Sequence, residues 1–143
     1  MKKVVAQDPL DYEIRGMYRF ATLKEDATLV DEVRDAWPEN PRLLMVAADP
    51  DDDTLTENLA LDLASALVKA GLAVGEVRVL EAETASVASQ LIPGADVIVL
   101  ADGADEVRDA FYGEVSLPNL LKTAKDDAVL IALSPQALEA ADA

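Results

Sequence analysis

The sequence predicts an α/β domain, a three-layer sandwich around a short, mostly parallel β-sheet. Three observations predict it. The runs Leu43–Ala48 (LLMVAA), Val97–Ala101 (VIVLA) and Val129–Leu133 (VLIAL) are continuously apolar, as in strands covered on both faces. Helical stretches separate them. The resulting alternation of strand and helix requires right-handed crossovers and places helices on both sides of the sheet.

The elements follow in order. Asp8-Pro9 has the form of a helix start, and Leu10, Ile14, Met17, Tyr18 and Ala21 then recur at helical spacing, interrupted by Gly16. A hairpin through Met17–Leu23 is the alternative. Asp26–Trp37 predicts a helix with Leu29, Val30, Val33 and Trp37 on one side, stopped by Pro38. After the first apolar run, Thr54–Ala70 is the strongest helix. Leu55, Leu59, Leu63, Ala66, Leu67 and Ala70 share a face, and Gly71 stands where a C-cap belongs. Leu59, Leu63 and Leu67 are expected to pack it on the sheet. Val74–Leu80 is a further strand, and Thr84–Ile92 a short helix closed by Pro93-Gly94. Leu117–Lys125 reads as helical, and Ser134-Pro135 leads into a last short helix. The first, third and fourth strands, at 43–48, 97–101 and 129–133, are expected to lie side by side and parallel.

Length and composition bound the function. A chain of 143 residues suits one domain with one core, and neither a repeat nor a domain boundary divides it. Cys and His are both absent, which excludes disulfides, thiolate metal sites and the commonest general base. No cofactor and no metal centre is expected. Asp and Glu outnumber Lys and Arg by 28 to 12, a net charge of −16 that repels nucleic acid and anionic membranes. A cationic partner or a small ligand is compatible with such a surface. The opening MKKVVAQDPLDYE turns acidic at once, without a signal-peptide core, so a cytoplasmic location is expected.

Binding sites in this fold class lie beyond the C-terminal ends of the strands. Those ends are Asp49–Asp53, Glu81–Glu83, Asp102–Asp105 and Ser134–Gln136. Ser134, between an apolar strand and a short helix, has the setting of a nucleophile elbow. Pro135 follows it, however, and a proline has no N–H to offer an oxyanion. The competing and favoured reading makes Ser134 the N-cap of the last helix, with Pro135 at its first position. Asp49, Asp102, Gly103, Ala104 and Gln136 are the candidate ligand-binding residues. The carboxylates of Asp49–Asp53 are of the type hard cations prefer, but helix capping and solubility account for them. At most weak Ca²⁺ or Mg²⁺ binding is expected there.

Several short motifs resemble those of the peptidase E-like proteins, the S51 serine peptidase group of the class I glutamine amidotransferase-like fold. They are Thr28 and Asp31, the run Asn40-Pro41-Arg42-Leu43-Leu44, Lys69-Ala-Gly-Leu72, Gly94-Ala-Asp-Val-Ile-Val-Leu100 and Asp127–Ala137. The resemblance covers about residues 26–137, leaves 1–25 as an N-terminal segment, and implies a flavodoxin-like sandwich with Ser134 at the nucleophile position. The departures fall in the chemistry. The family's Gly-Gly-Asn-Thr loop is replaced by Ala101-Asp-Gly-Ala-Asp105, and its Gly-x-Ser-Ala-Gly elbow by Ala132-Leu-Ser-Pro-Gln136. The family's catalytic His has no counterpart, and Lys122 and Lys125 are candidate bases in its place.

The expectation is therefore a shortened, degenerate relative that serves as a binding or interaction module. Two alternatives stand beside it: a serine hydrolase using Ser134, and an unrelated flavodoxin-like domain that binds a small ligand. A homodimer is expected, because a shortened sheet leaves apolar surface to cover.

Overall fold

The computed structural model describes residues 1–142. Five strands form one parallel sheet: β1 (Lys2–Val5), β4 (Arg42–Val46), β5 (Glu76–Leu80), β6 (Val97–Leu100) and β7 (Val129–Ala132). Their spatial order is β1-β7-β6-β4-β5, so β7, β6 and β4 are adjacent, as the sequence predicts. Between them run α1 (Leu29–Val33), α2 (Asp53–Lys69), α3 (Ala88–Gly94), α4 (Asp105–Val115) and α5 (Leu117–Leu121), and α6 (Pro135–Asp142) follows β7. The architecture is a three-layer, flavodoxin-like α/β sandwich.

Strand periodicity sorts the core into two halves. Leu43, Met45, Val97, Val99, Val129 and Ile131 point to one face, where they meet Leu29 and Val33 of α1 and Leu63 and Leu67 of α2. Leu44, Val46, Ile98, Leu100, Leu130 and Ala132 point to the other, against Ile92 of α3, Phe111 of α4, Leu117 of α5 and Ala137 of α6. Burying each large side chain is worth roughly 1.5–3 kcal/mol. A one-residue slip would exchange the two sets and forfeit both packings, which fixes the register. Leu59 packs half-buried beside Leu63 and Leu67, while Leu55, expected on the same face, is 61% exposed.

The edges are blunted by charge rather than apolar. β1 carries Lys2 and Lys3, β5 carries Glu76 and Arg78, and such side chains discourage edge-to-edge pairing.

The N-terminal segment departs from the expected helix. It is an antiparallel hairpin of β2 (Leu10–Arg15) and β3 (Tyr18–Leu23), close to the alternative reading. Asp8 takes φ 44° and Gly16 φ 62°, so neither the supposed cap nor the supposed helix interior has helical backbone. The apolar spacing that suggested a helix also fits period two, because Leu10, Tyr12 and Ile14 share a hairpin face with Ala21 and Leu23. Such a ribbon is marginal by itself. Here Lys69 of α2 donates to the Ala21 carbonyl at 2.8 Å, and the Tyr12 hydroxyl donates to Asp62 Oδ2 at 3.2 Å.

Other boundaries shift. The expected helix Asp26–Trp37 shrinks to α1 and a 3-10 turn over Arg34–Ala36. The helix expected over Leu117–Lys125 ends at Leu121, and α4 before it was unforeseen. Ser116, at φ 56°, breaks α4 from α5.

At the N-terminal end of the strands Asp96 ties three segments together. Its Oδ2 accepts the Arg42 N–H at 2.8 Å and its Oδ1 accepts the Lys125 ammonium at 2.7 Å. Its backbone also bridges Arg42 and Val129. Partial burial by itself would raise the Asp96 carboxyl, but the Arg42 N–H and the Lys125 charge outweigh it and hold it below its ordinary 3.8. A lowered carboxyl gives stability that is present above the unfolded-state value and lost as pH falls through the folded one. Asp96→Asn should therefore cost about 1–2 kcal/mol at pH 7. The gap from wild type should narrow below about pH 3.8 in urea unfolding curves recorded across that range.

Candidate functional site

The strand order reverses at β4. From β4 the chain moves outward to β5, then returns to place β6 on the opposite side. The crevice between the C-terminal ends of β4 and β6 is where this fold class binds ligands. Two acidic loops meet there. After β4, Asp49 Oδ1 accepts the Asp51 N–H at 3.1 Å, and Asp52 caps α2 by accepting the Leu55 N–H at 3.1 Å. After β6, Asp102 Oδ1 accepts the Gly103 N–H at 2.9 Å. Gly103 lies so near the first loop that a Cβ on it would stand 2.6 Å from the Ala48 Cβ. The glycine permits that approach, and the loops touch where the crevice would open.

Of the candidate ligand-binding residues, Asp49, Asp102, Gly103 and Ala104 are brought together at these loops and are exposed. Gln136 is exposed in the first turn of α6, at the end of β7. Asp102 also lines a cleft of about 520 Å³ with Tyr12 and Arg19 of the hairpin and Leu55 and Asp62 of α2. The Arg19 guanidinium stacks over the Tyr12 ring, 3.8 Å from its centre. The sequence reading missed this cleft because a helix at residues 8–21 would not have laid two strands beside α2.

Ser134 is 3% exposed. Its Oγ accepts the Ala137 N–H at 3.1 Å, the geometry of an N-cap, and Pro135 opens α6. The Lys125 ammonium is engaged by Asp96 at the opposite end of the strands, a strand length from Ser134. Lys122 is exposed just beyond α5.

Two charged residues are buried without a signal of burial in the sequence, although Glu81 stands at one of the strand ends read from it. Arg108 of α4 is 3% exposed and held by Asp105 and Asp109, each at 3.0 Å. Burial would lower its guanidinium, but the two carboxylates outweigh burial and keep it charged. Glu81, directly after β5, is 4% exposed. Burial first, then the nearby carboxylates of Glu57, Asp53 and Glu83, push its carboxyl above the usual 4.5.

Together these features define an α/β domain with carboxylate-rich loops at the switch point and its elbow serine committed to a helix cap. Compared with family models, curated proteins and solved structures, the chain finds no match. No helix among the described residues is long and apolar enough to cross a membrane.

Two substitutions test this geometry. Ser134→Ala should cost about 1 kcal/mol by loss of the cap. Gly103→Ala should cost roughly 1–3 kcal/mol by forcing the loops apart. Adding Ala48→Gly should recover most of the second loss, read as a coupling in a denaturant double-mutant cycle.

Proposed function

We propose that the chain is a non-catalytic interaction module, a degenerate relative of the peptidase E-like proteins, and that it pairs with a second copy of itself through the β2–β3 hairpin. One observation carries this reading. The distal hairpin presents Ile14, Met17 and Tyr18 to solvent at 76%, 98% and 71% exposure, with the half-covered Phe20 beside Tyr18. Large apolar side chains gathered on one projecting ribbon mark an interaction surface.

Charge supports self-association at this place. Within the hairpin Asp11 and Glu13 are matched by Arg15 and Arg19, so it is neutral in a chain of net charge −16. Two such chains repel elsewhere and approach best through a neutral patch. Among the described residues no third strand pairs with the hairpin, which leaves room for a partner strand, whereas the edges of the main sheet carry lysine, glutamate and arginine.

The absence of catalysis rests on chemistry. A serine nucleophile needs an adjacent base. The sequence has no His, the Ser134 hydroxyl is buried and accepts a helix N–H, and Pro135 lacks the amide an oxyanion would use. Carboxylates at Asp102 and Asp105 would also oppose developing negative charge.

Sedimentation velocity at micromolar concentration should give a dimer. Met17→Glu with Tyr18→Glu should weaken it at least tenfold, about 1.4 kcal/mol, without changing monomer stability. A wild-type monomer, or a dimer indifferent to both changes, would count against the reading. Aspartyl dipeptides should be hydrolysed no faster by wild type than by Ser134→Ala, and turnover lost in that variant would refute the non-catalytic assignment.

A further inference from the structure

Three carboxylates from separate parts of the chain meet beside the C-terminal end of β5. Asp53 opens α2, Glu57 lies one turn further along, and Glu81 follows the strand. One oxygen from each lies within 4.8 Å of the others. Helix capping does not explain the group. Asp52 is the residue that caps α2, and Asp53 Oδ1 accepts, among the described residues, only the adjoining Thr54 N–H at 2.8 Å. Asp53 gains from the positive end of the helix, but a like-charged Glu one turn later works against it.

Glu81 is the independent observation. Its residue is 4% exposed, and among the described residues its Oε2 is buried without a hydrogen-bond partner. A buried carboxylate oxygen left unpaired is costly, and two more carboxylates beside it make it more so. The backbone holds it there firmly. The Glu81 N–H donates to Thr84 Oγ1 at 3.0 Å, and that hydroxyl donates to the Val79 carbonyl at 2.9 Å. The next residue, Ala82, donates its N–H to the Pro50 carbonyl at 3.1 Å, tying this loop to the one that leads into α2.

We propose that Asp53, Glu57 and Glu81 together bind one hard divalent cation, Ca²⁺ or Mg²⁺, which joins the start of α2 to the end of β5. Ligand oxygens about 2.3–2.6 Å from a Ca²⁺ ion stand at most about 4.6–5.2 Å apart, so three oxygens within 4.8 Å of one another can reach one ion. Mg²⁺, with ligands at about 2.0–2.1 Å, requires a tighter set, no two oxygens more than about 4.0–4.2 Å apart. An all-oxygen set selects hard ions over the softer metals that take thiolate or imidazole. Water completes the coordination on the exposed side, where Glu57 lies.

The test is calorimetric titration and thermal unfolding of the full chain with CaCl₂ and, separately, MgCl₂, at ionic strength held constant with NaCl. Binding should give one site per chain and a rise in melting temperature. Glu81→Gln and Asp53→Asn should weaken affinity at least tenfold and abolish the rise, while Glu114→Gln, an acidic change on α4, leaves both intact. Glu81→Gln keeps the side-chain shape and removes a like charge, so it should remain folded without the ion. A response to either ion that Glu81→Gln removes supports the site, and the stronger of the two names the occupant. Equal responses in wild type and Glu81→Gln would assign the effect to diffuse screening of a strongly acidic surface and overturn the proposal. So would the absence of any heat or shift with both salts.

Discussion

The fold depends on three strands, β4, β6 and β7, that are apolar on both faces. Each must be covered from above and below. With a period of two, their side chains divide into two cores that share no strand position. Everything else follows from satisfying both. Helices α1 and α2 cover one side and α3 to α6 the other, and parallel pairing lets each crossover deposit its helix on the face that needs one. The same connectivity sends the loops after β4, β5, β6 and β7 to one end of the sheet, and these loops hold most of the residues with chemical potential.

That end of the molecule is rich in carboxylates and poor in catalytic partners. Several of its acids have local structural work. Asp52 caps a helix, while Asp49 and Asp102 each hold a neighbouring backbone N–H. Ser134, at the end of β7, is used the same way. Glu81 differs from all of these because its buried oxygen has no partner among the described residues, and the most economical partner is a cation shared with Asp53 and Glu57. The base of the hairpin enters one core through Leu10, with Leu23 packed beside it, and is tied to α2 by the Lys69–Ala21 and Tyr12–Asp62 hydrogen bonds, while its distal half is exposed.

What the sequence made legible was whatever burial writes as an unbroken pattern. LLMVAA, VIVLA and VLIAL are short, unbroken and bounded by turn residues, the pattern of doubly covered strands, and α2 shows its C-cap glycine as well as its stripe. Edge and surface elements were harder. β1 reads KKVV with one buried side chain, too weak a signal to count as a strand. The helical reading of Leu10, Ile14, Met17, Tyr18 and Ala21 failed because residues four apart, such as Leu10 and Ile14, share a face in a strand as well as in a helix. α4 is polar along most of DEVRDAFYGEV and buries an arginine, which sequence patterns score as exposed. The carboxylate cluster was illegible for a different reason: Glu57 and Glu81 are brought together by the packing of α2 beside β5, and Glu81 stands in a sequence context, Leu80-Glu-Ala, that gives no hint of burial.

In the proposed function the sheet is a scaffold and the hairpin the working surface. The most direct measurement of that claim is backbone hydrogen exchange, followed residue by residue at two protein concentrations far apart. The strands β4, β6 and β7 should be protected equally at both. Amides from Ile14 to Tyr18 should exchange quickly in dilute protein and become protected in concentrated protein, as the hairpin is covered by its partner. Exchange from the hairpin that is the same at both concentrations, with concentration-dependent protection elsewhere or nowhere, would contradict it.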